Sequence, residues 1–456
     1  MTLLTTIIAF AVALGCLIVV HEFGHYFVAR ACGVKVLRFS VGFGKPLWSR
    51  PLGRDRTEWV IAAFPLGGYV KMLDEREGEV APDDLPRAFN RQSVWRRLAI
   101  VIAGPAANFL LAIALYWGLF IYGVPGLKPV INEPPQGTVA ARVGFKGGDT
   151  LVSIADEPVA TWQDARWILL QRAVQKSIVT IEVRSATGDL VWRKLDLSAL
   201  TPADLDSDFL RTLGLARHQP KLKPVIGEVV AGGAAQRAGL KAGDAFVAIG
   251  NRRIETWDEV VRLVRAEPGT PLVVEVTRDG APQPAIAVTP EVVVENGQKI
   301  GRIGAAPQVD RSVLAGMIVE VRYGPLESFA KALQKTWDTS VFSLKMLGRM
   351  IVGDVSLKNL SGPITIADYA GQSAQSGVAS YLLFLALISI SLGVLNLLPI
   401  PLLDGGHLMY YTVEIFKGRP VSERAVEIGQ HVGMALLFTL MAFALYNDIT
   451  RLLVSG

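Results

Sequence analysis

Four stretches of this chain, near residues 2–20, 98–124, 377–398 and 428–447, contain no Asp, Glu, Lys or Arg. Each is close to the roughly 20 apolar residues that cross a bilayer core as a helix. With 51% hydrophobic and 19% charged residues and a mean hydropathy of +0.36, the chain is too apolar for an ordinary soluble protein of 456 residues. A cleaved secretory signal would carry positive charge before its apolar run, whereas the first basic residue here is Arg30. Basic residues follow the first stretch (Arg30, Lys35, Arg38, Lys45, Arg50, Arg54, Arg56) and precede the second (Arg87, Arg91, Arg96, Arg97), which places 31–97 in the cytoplasm and both termini outside. Residues 125–376 are then expected outside and 405–427 inside. The net charge of +5 is ordinary for such a topology and gives no reason to invoke nucleic acid. Cys16 and Cys32, half a first helix apart, are too far from each other for a disulfide.

The long outer segment repeats itself. Pro129-Val130-Ile131 matches Pro224-Val225-Ile226, Gly144 matches Gly239, Gly148-Asp149 matches Gly243-Asp244 and Thr161-Trp162 matches Thr256-Trp257, at a constant offset of 95 residues. Each copy reads as short strands (Thr150 to Ile154 and Ala245 to Ile249), a helix beginning near the tryptophan, and a further strand (Ile178 to Val183 and Leu272 to Val276). The run from Ala234 to Asp244, A-A-Q-R-A-G-L-K-A-G-D, resembles PDZ domains of the bacterial protease type. That resemblance implies loops that take up a peptide C-terminus by strand addition, here Leu213-Gly214-Leu215 and Ile303-Gly304-Ala305, with Gly214 and Gly304 as substrate-binding positions. Whether such modules grip a C-terminus or act as steric gates stays open at this point.

Two further segments have a pattern. Residues 34–72 alternate and are punctuated by glycine, as in Phe39 to Gly44 and Trp59 to Val70, and read as short strands able to dip into a bilayer as a re-entrant hairpin and offer an edge to substrate. Between 326 and 351, Phe329, Leu333, Trp337, Val341, Leu344 and Leu347 recur at helical spacing among lysines and arginines. This is the pattern of an amphipathic helix, lying on the outer membrane surface or, in the favoured reading, packed on the outer modules.

The chemistry sits in the apolar spans. His21-Glu22-Phe23-Gly24-His25 is an H-E-x-x-H sequence, so on a helix both imidazoles share a face and can hold one zinc ion, with Glu22 beside it as general base. Ionisable residues at the edge of a bilayer core are costly and mark function. A catalytic zinc takes a third protein ligand. From Tyr369 through Val413 the only charged residue is Asp404, in Asn396-Leu397-Leu398-Pro399-Ile400-Pro401-Leu402-Leu403-Asp404-Gly405-Gly406, where two prolines end a helix. His407 is a further imidazole nearby, read as a supporting or helix-face residue; His218 and His431 are read as structural.

H-E-F-G-H in the first span with N-x-x-P-x-P-x-x-D-G in the third resembles the site-2 protease family of intramembrane zinc metalloproteases, in its bacterial sigma-E-regulating type with tandem PDZ modules. The resemblance covers nearly the whole chain. It implies Zn2+ held by His21, His25 and Asp404, Glu22 as catalytic base, and Asn396 as a substrate-positioning residue. Gly104-Pro105-Ala106-Ala107-Asn108 also resembles a family motif, so Asn108 is either active-site support or a helix–helix hydrogen-bonding residue; Pro399 and Pro401 are further candidate supports. The expected fold is a polytopic α-helical membrane protein of about four transmembrane helices, with a cytoplasmic membrane-associated β segment and two α/β PDZ-like domains on the outer side. The expected boundaries are 1–31, 32–97, 98–124, 125–220 and 221–309 for the two modules, 310–376 for the amphipathic helix and linker, 377–404, 405–427 and 428–450. By resemblance, the chain resides in a bacterial inner membrane with its modules in the periplasm. It would cut a pre-trimmed single-pass anti-sigma factor and signal-peptide remnants, with peptide C-termini meeting the modules. The rival reading is a noncatalytic PDZ membrane scaffold.

Overall fold

The computed structural model describes residues 3–201, 204, 208–218, 220, 222–295, 298–356 and 360–455. The expected boundary between the outer modules falls at Lys221, outside the described residues. The chain divides into two compact units, Met1–Val124 with Val321–Asp448, and Pro125–Glu320 with Ile449–Gly456.

The first unit begins with helix α1 (Leu3–Ala31), followed by strands β1 (Val36–Leu52) and β2 (Thr57–Met72) and helix α2 (Val94–Tyr122). The strands are long but bent, and β1 is used twice: Phe39 pairs with Trp59 on one side and with Val70 on the other, while Arg50 pairs with Trp59 farther along. The hairpin is thereby folded into four short runs side by side, in the order 46–52, 57–62, 36–41, 68–72. Gly42 and Gly44, at φ +95° and +90°, supply the bend, since positive φ strains any residue with a Cβ. Phe39, Val36 and Val34 bury one face of this sheet against Tyr26 and Ala29 of α1.

After the Pro125–Glu320 part of the second unit come α5 (Pro325–Val352), α6 (Pro363–Gln375), α7 (Val378–Leu397), α8 (Asp404–Lys417) and α9 (Glu423–Ser455). Among the described residues, four helices are long and apolar enough to cross a membrane: α1, α2, α7 and, over Glu423–Arg451, α9. They are held together by small residues and buried hydroxyls, the usual means where lipid offers no hydrophobic drive. Gly24 lets α1 approach the Ala103 carbonyl of α2, and Ser389 of α7 donates to the Asn108 carbonyl of α2 at 2.7 Å. Asp448 caps α6, accepting from the Gly362, Ile364 and Thr365 amides. The amphipathic pattern of 326–351 is helical, but the face it buries is not the apolar one. Ser328, Ala332, Thr336 and Thr339 are buried, with α2 and α7 as neighbours, while Phe329, Leu333, Trp337 and Leu344 stay exposed. The expected helix is present within the first unit, and its buried face is the small-residue one. Small side chains allow close helix approach, and the apolar stripe is left on the outside of the unit.

The second unit contains two copies of one topology. In the first, β3 (Thr150–Ile154) lies between Glu157–Pro158 and β4 (Ile178–Arg184), and β4 pairs with β5 (Leu190–Asp196); α3 (Trp162–Val174) covers the sheet. In the second, β7 (Ala245–Ile249) lies between Arg252–Arg253 and β8 (Leu272–Arg278), with α4 (Trp257–Ala266), while β6 (Ile226–Val229) pairs with β9 (Ala305–Pro307). The offset of 95 reappears in the hydrogen bonds. Lys146 N donates to Asp149 and Lys241 N to Asp244, each at 2.9 Å, and capping boxes at Thr161/Asp164 and Thr256/Glu259 start the two helices.

Candidate metal centre

An α-helix places residues four apart on one face, and α1 brings His21 Nε2 within 3.2 Å of His25 Nε2. The prolines at 399 and 401 stop α7 at Leu397, and the chain turns through Leu402, a non-glycine residue at φ +86°, to start α8 at Asp404. Gly405 and Gly406 are needed here for space rather than for conformation. A Cβ on either would collide with the backbone of 397–401. The turn delivers Asp404 Oδ2 to 3.2 Å from His21 Nε2 and 3.5 Å from His25 Nε2. Among the described residues these are the only three His, Cys, Asp or Glu side chains grouped closely enough to hold a metal.

The imidazoles are oriented from α2. His25 Nδ1 donates to the Ile100 carbonyl at 2.8 Å, which leaves Nε2 as the lone-pair nitrogen. Beside His21 Nδ1, at 3.1 Å, lies the Asn108 amide, whose Nδ2 faces the ring while Oδ1 is buried without a hydrogen-bond partner. A half-turn of that amide presents the oxygen to an Nδ1–H and satisfies both groups. Both histidines then aim lone pairs at Asp404 Oδ2, itself buried without a hydrogen bond. Three lone-pair atoms converging in a buried site repel unless a cation lies between them. Tetrahedral zinc with ligands near 2.1 Å separates its donors by about 3.4 Å, so these donors fit that ion.

Glu22 is buried beside the cluster, against Gly68, where a Cβ would lie 2.8 Å from Glu22 Cγ. A cavity of about 860 Å³ opens from the cluster, lined by Glu22, the 68–72 run of β2, Asn396 and His407. Of the residues singled out in the sequence, His21, Glu22, His25, Asp404, Asn396 and Asn108 come together here. Pro399 is exposed, and Pro401 packs against Gly433 of α9. Gly214 and Gly304 belong to the other unit. Gly214 is the left-handed cap of a short helix, Phe209–Leu213, with its amide bonded to Arg211. Gly304, at φ +69°, leads into β9.

The sequence assigns no role to several contributors. Gly104 stands so close to His25 Nε2 that no side chain fits. Arg97 of α2 and Glu414 of α8 form a largely buried ion pair at 2.6 Å, with the Tyr411 ring under the guanidinium at 4.9 Å. Ser389, a hydroxyl in an apolar run, was the one such residue visible in principle.

Comparison with known proteins agrees with this geometry. The family model described as peptidase family M50 matches residues 9–440. A regulator of sigma-E protease from Salmonella typhimurium is 44% identical over 454 residues, covering 99% of this chain and 100% of the relative. The Escherichia coli protein of that name is 44% identical over 97% of this chain and 98% of its own length, and a putative zinc metalloprotease from Neisseria meningitidis is 44% identical over 98% and 99%. A helix-borne histidine pair, a distant aspartate brought to it and a match along almost the full length lead to one assignment: the chain belongs to peptidase family M50.

Proposed function

We propose that this membrane peptidase hydrolyses peptide bonds of single-pass proteins within or beside the bilayer, with His21, His25 and Asp404 as zinc ligands and Glu22 as base. The observation that carries the assignment is the convergence of three lone-pair atoms, 3.2 to 3.5 Å apart, beside a buried glutamate. Membership of a peptidase family sets aside the noncatalytic scaffold, and the relatives named zinc metalloproteases identify zinc as the metal. Bound zinc supplies a Lewis acid that acidifies water and polarises a carbonyl.

The protein's own groups do the rest. Glu22 takes the proton of the attacking water and returns it to the leaving amine. A helical substrate shields its peptide bonds, so it must be extended before cleavage. The 68–72 run of β2 lines the cavity and pairs on one side with 36–41; no other strand pairs with it among the described residues. It supports strand addition of an unwound substrate, and Asn396 on the cavity wall supports positioning of its backbone.

The relatives' names speak of sigma-E regulation. The corresponding substrate is a membrane-spanning anti-sigma factor already trimmed outside, with signal-peptide remnants as a second class. An inner-membrane location with the PDZ-like modules in the periplasm fits, the modules holding back untrimmed substrates. Of their loops, the second better suits a peptide C-terminus. The amides of Gly214 and Leu215 are spent on Arg211 and Leu210, whereas the Ile303–Gly304 loop is tied down through its carbonyls, by Ala235 and Val230.

The test is cleavage of a model single-pass substrate, with and without its outer domain, by the purified wild type and Glu22→Gln, with zinc assayed alongside. The trimmed substrate should be cut by the wild type alone while the variant keeps zinc. Equal cleavage by the variant would remove Glu22 from the chemistry, and equal cleavage of both substrates would remove the gate.

A further inference from the structure

The turn joining β1 to β2 carries positive charge that its surroundings do not neutralise. Arg50, Arg54 and Arg56 are exposed on and beside this turn, and Arg30 is exposed near the end of α1. The two elements meet, since a Cβ on Gly53 would lie 3.9 Å from Arg30 Nη1. The nearby acids are already engaged: Asp55 by Arg87 at 2.7 Å, and Glu58 by Arg38 and Ser49, each at 2.7 Å. Arg30 donates to the Tyr26 hydroxyl and lies over its ring. Among the described residues no ion pair reaches Arg30, Arg50, Arg54 or Arg56.

The same strand exposes large apolar side chains. Leu47 is 73% exposed, Trp48 47% and Leu52 42%, and Phe23 and Phe27 lie exposed on α1 in the turns preceding Arg30. Strand alternation puts Trp48, Arg50 and Leu52 on one face. Cations bordering exposed tryptophan, leucine and phenylalanine, at the end of a membrane-spanning helix, suit the boundary between lipid tails and headgroups. A nucleic acid would match the charge but leave Leu47 and Leu52 uncovered.

We propose that Arg30, Arg50, Arg54 and Arg56 form a collar that binds the headgroup phosphates of anionic phospholipids at the cytoplasmic end of α1. The inference rests on α1 crossing a bilayer and is independent of the peptidase chemistry. Its consequence reaches the cavity all the same, because the collar strand and the 68–72 run belong to one folded hairpin. Lipid held at one edge sets the depth of the other.

The test equilibrates the full-length protein with mixed micelles containing equal amounts of dioleoyl phosphatidylglycerol and dioleoyl phosphatidylcholine, captures the protein, and measures bound lipid by mass spectrometry. The wild type should retain the anionic lipid preferentially, by up to about fivefold for each arginine at low salt, and lose that preference in high salt. Arg50→Gln/Arg54→Gln/Arg56→Gln should cut the ratio to no more than the roughly fivefold that Arg30 alone can contribute, with zinc content unchanged, while Arg252→Gln/Arg253→Gln, on an exposed strand of the second unit, should leave it as in the wild type. A wild-type ratio near unity, a ratio insensitive to salt, or full preference in the triple variant overturns the proposal. If millimolar inorganic phosphate displaces the lipid completely, the collar reads free phosphate and the lipid assignment fails. Should the triple variant not fold, Arg54→Gln alone and the wild-type salt series decide the matter.

Discussion

His21 and His25 present their Nε2 atoms because α2 occupies their other nitrogens, so the quality of the metal site depends on residues that never touch the metal. Asn108→Leu removes the partner of His21 Nδ1, and zinc affinity measured by chelator competition should fall about 10- to 100-fold while the helices remain assembled. Gly104→Ala is the harsher change, because its Cβ would overlap His25 Nε2; zinc binding should be lost. The sequence spoke clearly about the histidines, whose spacing is a helical repeat, and about Asp404, the lone charge in a long apolar run. It set Gly104 in a motif but gave it no role. A residue whose contribution is the space it leaves cannot be read until its neighbours are known.

Elements show the same division. Spans, the outer repeat and the bent hairpin follow from local periodicity and were readable. The ion pair of Arg97 with Glu414 joins residues 317 apart, beyond the reach of any local pattern. It ties α2, which orients the imidazoles, to α8, which carries Asp404. Arg97→Met should destabilise the protein by about 3 kcal/mol, as expected when one partner of a buried pair is removed. The double change Arg97→Met/Glu414→Leu should recover most of it, as read from thermal unfolding in detergent. For 326–351 the periodicity gave the helix but not its buried face, because in a membrane protein the large apolar side chains can face outward and the small ones make contacts. α9 approaches the 398–403 turn through Gly429 and Gly433, next to Pro401. Gly433→Leu should push that turn and raise the zinc dissociation constant without altering the second unit.

At the scale of the whole molecule, the metal bears on the first unit and an acid-sensitive carboxylate is built into the second. Chelation should lower the thermal midpoint of the first, since a bound ion at a thousand times its dissociation constant contributes about 4 kcal/mol. The second should respond to acid. Burial works to raise the Asp244 pKa, but Arg278 at 2.6 Å and the Lys241 amide at 2.9 Å outweigh it and hold the carboxyl below its ordinary value. A carboxylate depressed in the folded state contributes its stability above the unfolded value near 3.9 and loses it as pH falls through the folded one. Protection factors for the amides of 245–249 should therefore drop below about pH 4, and Asp244→Asn should be less protected at neutral pH and flatter with acid.

The order in which the ligands occur along the chain has a consequence for biosynthesis. His21 and His25 are made first, and Asp404 only after the Pro125–Glu320 part of the second unit has been synthesised. At bacterial elongation rates that interval is on the order of tens of seconds. Throughout it, the nascent chain holds two imidazoles and a glutamate in the membrane without the carboxylate that completes the donor set. On the proposed ligand set, a ribosome-bound or prematurely terminated product should be inert as a peptidase, which would spare the cell a half-made protease loose among its membrane proteins.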